Sequence, residues 1–193
     1  RPLTRNERLF LNRALRVNQA GELGANLIYS GQYAVFKSNA RLRPLIRHMW
    51  DQEIHHLDTF DALLSRHRVR PTAMRPIWNV AGYALGLGTA LLGEKAAMAC
   101  TEAVETEIGT HYNNQLRVLL GMLKEEPGMF QGLGEEGGEL RRLVETIREF
   151  RDDELEHLDT AVEHDARKAE GYEILHHLIR GGCKAAIFVS ERV

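Results

Sequence analysis

Six side chains that could hold metal recur in two sets along the chain. Glu53 and His56 stand three apart in WDQEIHHL (50–57), and Glu154 and His157 stand three apart in FRDDELEHLDTA (150–161). A separation of three turns a side chain about 60° around a helix, so each pair can face one point. Upstream of each pair is a further glutamate. Glu22 lies among small residues in Gln19-Ala20-Gly21-Glu22-Leu23-Gly24-Ala25, and Glu105 lies mid-helix in Ala103-Val104-Glu105-Thr106-Glu107. The spacing from glutamate to pair is 31 residues in the first half and 49 in the second. The difference of 18 is the length of a glycine-rich stretch, 121–138, which suggests a duplicated unit with an insertion.

Four carboxylates gathered in a helical interior repel one another and are costly to desolvate unless neutralised. Two divalent cations neutralise them, and two neutral imidazoles complete the donor set. This is the di-iron or di-manganese carboxylate pattern of helical bundles. Structural zinc usually takes ligands richer in Cys and His. A lone Glu-x-x-His is common on exposed helices; two copies, each with an upstream glutamate, are not. Spacing alone leaves Glu102 and Glu107 as rivals of Glu105. His55 lies about 200° from Glu53 and competes poorly with His56, and Glu156 is expected to face outward.

The elements that must carry these residues are helices. Strand signals are nearly absent, and helical periodicity covers five segments: Arg5 to Lys37, Pro44 to His67, Glu94 to Lys124, Glu139 to Lys168 and Tyr172 to Ser190. Between the two helical pairs runs the uncharged segment PIWNVAGYALGLGTALLG (76–93). It reads equally as a buried helix joining two halves of a bundle or as a helix lying in a membrane interface. The stretch 121–138, with six glycines and Pro127, reads as a loop or insertion. Four antiparallel helices with one long crossover make an all-α, ferritin-like bundle, here in a single domain spanning 1–193. The shorter last helix adds an apolar stripe of Leu175, Leu178, Ile179, Gly182 and Ala186 beside a basic one of His176, Arg180 and Lys184.

Composition narrows the class. The 193 residues carry 25 Lys plus Arg against 27 Asp plus Glu, a net charge of −2, which argues against a general nucleic-acid binder. Two cysteines, Cys100 and Cys183, are too few for a disulfide framework and read as small apolar residues. The chain opens on Arg1, with no leader visible, and its N-terminus does not report location.

Long motifs resemble one family. VNQAGELGA (17–25) with IYSGQ (28–32), WDQEIHHL (50–57), RPTAMRPIWNVAGYALGLGTALLG (70–93), AMACTEAVETEIGTHYNNQ (97–115), FRDDELEHLDTA (150–161) and the ending CKAAIFVSERV resemble the demethoxyubiquinone hydroxylases of coenzyme Q synthesis. The resemblance implies a di-iron centre of Glu22, Glu53, His56, Glu105, Glu154 and His157, choosing Glu105 over its neighbours. Gln19 stands where many relatives have His, so that position is not expected to be a required ligand. The implied reaction hydroxylates the ring of a membrane polyprenyl quinone, demethoxyubiquinone, using O2 and electrons from NADH. No dinucleotide-binding fingerprint is present. The resemblance further implies a peripheral protein on the matrix side of the mitochondrial inner membrane. There it would join an oligomer or complex with other coenzyme Q synthesis proteins, including a lipid-binding partner.

Spacing puts Tyr112 seven residues after Glu105, on the same face, and the resemblance gives Tyr112 and His111 a role beside the metals or in electron relay. Asp153 and Asp159 flank the second pair and are candidates for orienting histidine rings, although such acids are more often solvated. A ferroxidase or iron-storage protein could share the ligands, and a metal-free scaffold is the remaining alternative. Metal content and turnover of the quinone separate the three.

Overall fold

The computed structural model describes residues 3–124 and 134–193, and among these every regular element is helical. Helix α1 spans Arg5–Phe36, α2 Leu42–His67, α3 Arg75–Leu91, α4 Glu94–Lys124, α5 Gly134–Glu163 and α6 Tyr172–Ser190. Local chemistry sets the boundaries. Thr4 and Glu7 form a reciprocal capping box that starts α1. The Asn39 side chain accepts from the Arg41 and Leu42 N–H groups at 3.0 Å and starts α2, with Pro44 in its first turn. Pro76 opens α3. Gly93, at φ +114°, makes the bend into α4 that a residue with a Cβ rarely adopts.

Two apolar plugs reveal the helix directions. One gathers Phe36, Leu42, Ile46, Met49, Met98 and Ala161; the other gathers Leu15, Phe60, Leu64, Leu116, Leu119, Leu140 and Phe150. Helices α1 and α5 run from the second plug to the first, and α2 and α4 run the opposite way. This is the four-helix, ferritin-like arrangement with α3 as the long crossover. The middle layer between the plugs is where Glu22, Glu53, His56, Glu105, Glu154 and His157 lie.

Two expectations need correcting, and one open choice is decided. Gly121–Lys124 continue α4 and Gly134–Gly138 belong to α5, so the ends of the expected loop are helical; the rest of it, 125–133, lies outside the described residues. Packing of the adjoining Leu119 and Leu140 in the second plug offsets the roughly 1 kcal/mol helix cost of each glycine. Helix α5 stops at Glu163 rather than Lys168, because Asp165 turns left-handed (φ 64°) into a short 3-10 turn, Ala166–Lys168. Of the two readings left open for 76–93, the buried one does not hold, because most of α3 is exposed. It presses one narrow face on α1, where a Cβ on Gly86 would stand 2.0 Å from the Ile28 carbonyl oxygen, and one on Gly31 2.5 Å from that of Tyr83. Its other face leaves Ile77, Val80, Leu91 and Leu92 exposed. No helix among the described residues is long and apolar enough to cross a membrane.

Candidate metal centre

All six residues read from the two sets converge, each 1% exposed or less. Their donor atoms form two groups, Glu22–Glu53–His56–Glu154 and Glu53–Glu105–Glu154–His157, with the atoms of each group within 4.8 Å of one another. Glu53 and Glu154 belong to both. His56 Nδ1 lies 3.2 Å from Glu154 Oε1 and 3.4 Å from Glu22 Oε2. His157 Nδ1 lies 3.2 Å from Glu53 Oε1 and 3.3 Å from Glu154 Oε2.

The other imidazole nitrogens are held from outside. His56 Nε2 meets Asp153 Oδ2 at 3.0 Å, and His157 Nε2 meets Gln52 Oε1 at 3.0 Å. With a metal bound and Nε2–H donating to these oxygens, each Nδ1 would present its lone pair to the cluster. Phe150 stacks on His56 at 3.9 Å, and Tyr29 meets His157 edge-on at 5.7 Å, so both rings are fixed. Tyrosines anchor the unshared glutamates: Tyr29 donates to Glu105 Oε1 at 2.8 Å, and Tyr112 donates to Glu22 Oε1.

The arrangement is twofold in sequence as well as in space. Glu22 and Glu105, Tyr29 and Tyr112, Gln32 and Gln115, and Asn18 and Thr101 are each 83 residues apart. Gln52 and Asp153, Glu53 and Glu154, and His56 and His157 are each 101 apart. Gln115 bonds Asn18 at 2.9 Å, and Gln32 bonds Thr101 at 3.3 Å, so each half ties itself to the other with equivalent positions.

The donor set fits metal. Glu22 Oε2, both oxygens of Glu53 and of Glu154, Glu105 Oε2 and the two Nδ1 atoms are buried without a hydrogen-bond partner. Leaving so many buried acceptors unmet would cost several kcal/mol, and cations supply what they lack. Carboxylates with imidazoles and no thiolate suit a first-row divalent metal such as iron or manganese.

Protons show the same demand. Burial, then the charges of Glu154 and Glu22, push the Glu53 carboxyl well above its usual range. Burial, then Glu154 and Glu53, do the same to Glu105. Burial would lower the His56 imidazolium, but the adjoining Glu154 and Glu22 outweigh it and push it up to about 12. Burial opposes ionisation of Glu154, yet His157 and His56 hold its carboxyl below the ordinary value. Tyr29 and Tyr112 are pushed well up, chiefly by burial and then by Glu105 and Glu22, and so remain O–H donors.

Beside the cluster runs an apolar cavity of about 560 Å3, roofed by α3 and α6. Ala20, Gly21, Gly24 and Ala25 of α1 and Val104 and Ile108 of α4 form its floor. Ala25 and Ile108 each lie one turn past a cluster glutamate, Glu22 and Glu105, so only these two helices separate cavity from cluster. A Cβ on Gly21 or Gly24 would meet nothing within 4 Å, so these glycines keep space open rather than permit close packing.

Comparison with known proteins identifies the family. The model of the family "Ubiquinone biosynthesis protein COQ7" matches residues 9–190. The chain belongs to this family. It is 49% identical to the Saccharomyces cerevisiae protein named 5-demethoxyubiquinone hydroxylase, mitochondrial, over 95% of this chain and 78% of the relative. It is also 49% identical to the Mus musculus protein named NADPH-dependent 3-demethoxyubiquinone 3-hydroxylase, mitochondrial, over 96% of this chain and 79% of the relative. With the 3-demethoxyubiquinol 3-hydroxylase of Rhodospirillum rubrum it shares 46% over 95% of this chain and 78% of that one.

In this COQ7-family chain the rivals of Glu105 are engaged elsewhere. Glu102 binds Arg167 at 2.8 Å and Tyr172 at 3.0 Å; Glu107 binds Arg180 at 2.5 Å, with Lys184 at 3.7 Å. His55 and Glu156 are exposed. Tyr112 touches the cluster, whereas His111 bonds Gln115 and lines a second cavity of mixed character with Phe10, Arg13 and Glu191. Asp153 reaches a histidine, and it is His56 of the other half; Asp159 is exposed. Gln19 bonds Asp61 at 2.9 Å, outside the donor set. Cys100 is buried, and Cys183 lines the apolar cavity. Tyr29 and Gln52 were missed by sequence reasoning. Their signal was available: each occupies the position in the first half that Tyr112 and Asp153 occupy in the second.

Proposed function

We propose that this chain hydroxylates the ring of demethoxyubiquinone to give demethylubiquinone, with two iron ions held by Glu22, Glu53, His56, Glu105, Glu154 and His157. The observation that carries the reading is the pair of buried acid–histidine groups with their inward atoms unpartnered, with an apolar cavity lined by Gly21 and Val104, the chain neighbours of Glu22 and Glu105. The relatives' names support the substrate.

Iron bound in the reduced state supplies O2 activation; ring C–H, O2, two electrons and two protons become ring C–OH and water. The residues do the rest. Glu53 and Glu154, common to both groups, would be shared by the two ions, while Glu22 and Glu105 would each serve one. Tyr29 and Tyr112 hold those unshared carboxylates in place. The apolar floor seats the ring and first isoprene units and keeps water away from the reacting carbon. The electrons come from a reduced nicotinamide nucleotide. NADH is the donor implied by the motif resemblance, and the mouse relative's name gives NADPH.

A polyprenyl substrate resides in a bilayer, and the two helices that roof the cavity expose Ile77, Val80, Leu91, Ile174, Leu178 and Phe188. These residues dock the protein on a membrane surface without crossing it. The proposed location is the matrix side of the mitochondrial inner membrane, in a complex with other coenzyme Q synthesis proteins, a lipid-binding one among them. The yeast and mouse relatives are named mitochondrial.

The test is protein loaded anaerobically with two Fe(II) per chain, given a demethoxyubiquinone analogue, 18O2, and NADH or NADPH. One 18O in the product ring is expected, with faster turnover from NADH. Iron oxidation without oxygen transfer to the ring would instead identify a ferroxidase, and no iron uptake would leave a scaffold.

A further inference from the structure

The two halves of the centre match in every donor residue but differ in what backs the histidines. Each donor group has one histidine, one unshared glutamate anchored by a tyrosine, and the same two shared glutamates. His56, however, rests on a carboxylate, Asp153 Oδ2, and His157 on an amide oxygen, Gln52 Oε1, both at 3.0 Å. These partners occupy equivalent positions, one residue before Glu154 and one before Glu53.

An N–H donated to a carboxylate puts more electron density on the imidazole than one donated to an amide, which makes the opposite nitrogen a stronger ligand. The Nδ1 atoms of both rings face the cluster without a hydrogen-bond partner, so this difference reaches the metal positions directly. We infer that Asp153 and Gln52 are positioning residues that make the two metal positions unequal: the His56 position fills first and holds metal more tightly, and the His157 position is the weaker and more exchangeable one. The inference rests on the metal-binding reading above.

Anaerobic titration with Co(II) or Fe(II) alone, against a competing chelator, tests it. The wild-type chain should take up two ions in separate steps. Asp153→Asn, which gives both histidines an amide, should weaken the tighter step by roughly 10–100-fold and merge the two. Gln52→Glu, which gives both a carboxylate, should merge them by tightening the weaker step. Mössbauer spectra of the Fe(II)-loaded protein should show two distinct doublets in the wild type and closer ones in either variant. A purely structural role for Asp153 would lower the melting temperature or weaken both steps together without changing their ratio, and that outcome overturns the inference. Two equal steps in the wild type, or steps indifferent to both substitutions, overturn it while leaving the proposed function intact. Failure to bind any metal overturns both.

Discussion

Tyr29 of the first half donates a hydrogen bond to Glu105 of the second, at 2.8 Å, with both side chains buried. Tyr112 returns the same bond to Glu22. The unshared carboxylate of each half is thus oriented by the other half, and the two helical pairs cannot shift relative to one another without breaking both bonds.

Removing one hydroxyl should weaken this clamp. Tyr29→Phe or Tyr112→Phe strands a buried carboxylate oxygen, at about 1–3 kcal/mol. Both variants are expected to load two metals at saturation, with roughly tenfold weaker affinity at one position, and to turn over more slowly. Metal titration alongside steady-state rates checks this; wild-type values of both would remove the tyrosines from the mechanism.

Without metal, stability should fall as pH rises from 5 to 8. Glu53 and Glu105, raised in the fold, keep protons that the unfolded chain releases above about pH 4.3. His56 and His157, also raised, contribute stability that is complete below about pH 6.5 and declines above it. Glu154, lowered, contributes a constant amount across this window. Each extra proton held in the fold is worth about 1.4 kcal/mol per pH unit. Metal displaces those protons, so the gain in melting temperature on loading should grow with pH. Calorimetry of chelated and loaded protein at pH 5, 6.5 and 8 decides it.

Gly86→Ala should separate α1 from α3. The new Cβ would fall 2.0 Å from the Ile28 carbonyl oxygen, a backbone atom that cannot yield. A loss of about 3 kcal/mol or more is expected, lowering the melting temperature by on the order of 10 °C. Gly88→Ala, where the added Cβ meets nothing within 4 Å, is the control and should be neutral or slightly stabilising.

Gly21→Leu should fill the apolar cavity from its floor. The position is open, and Leu favours helix over Gly by roughly 0.8–1 kcal/mol, so stability should hold or rise. Metal content should stay at two per chain while the quinone KM rises at least tenfold. An unchanged KM would move the substrate elsewhere.

Charges on the exposed face of α3 should release the protein from lipid. The double change Ile77→Glu and Val80→Glu alters two outward residues, 53% and 71% exposed, that belong to neither donor group. Flotation with phospholipid vesicles should show loss of most binding at unchanged metal content. Equal flotation of variant and wild type would count against membrane docking through α3.

The chain itself determined the helices, their apolar plugs and the identity of the inward-facing acid and histidine residues, because a three-residue helical spacing fixes which side chains share a face. The doubled Glu-x-x-His, each with its upstream glutamate, was legible for that reason. Tertiary structure decided what lies beyond the reach of a single helix. Glu105 faces inward while Glu102 and Glu107 do not, because Arg167, Arg180 and Lys184 arrive from distant segments to pair with the latter two. Periodicity could not tell whether 76–93 would be buried, since an apolar helix suits either setting. Glycine contacts with α1 committed one narrow face and left the other outside. The crossed bonds of Tyr29 to Glu105 and His56 to Asp153 join residues 76 and 97 apart in the chain, and only packing of the four rods brings such partners within hydrogen-bond distance.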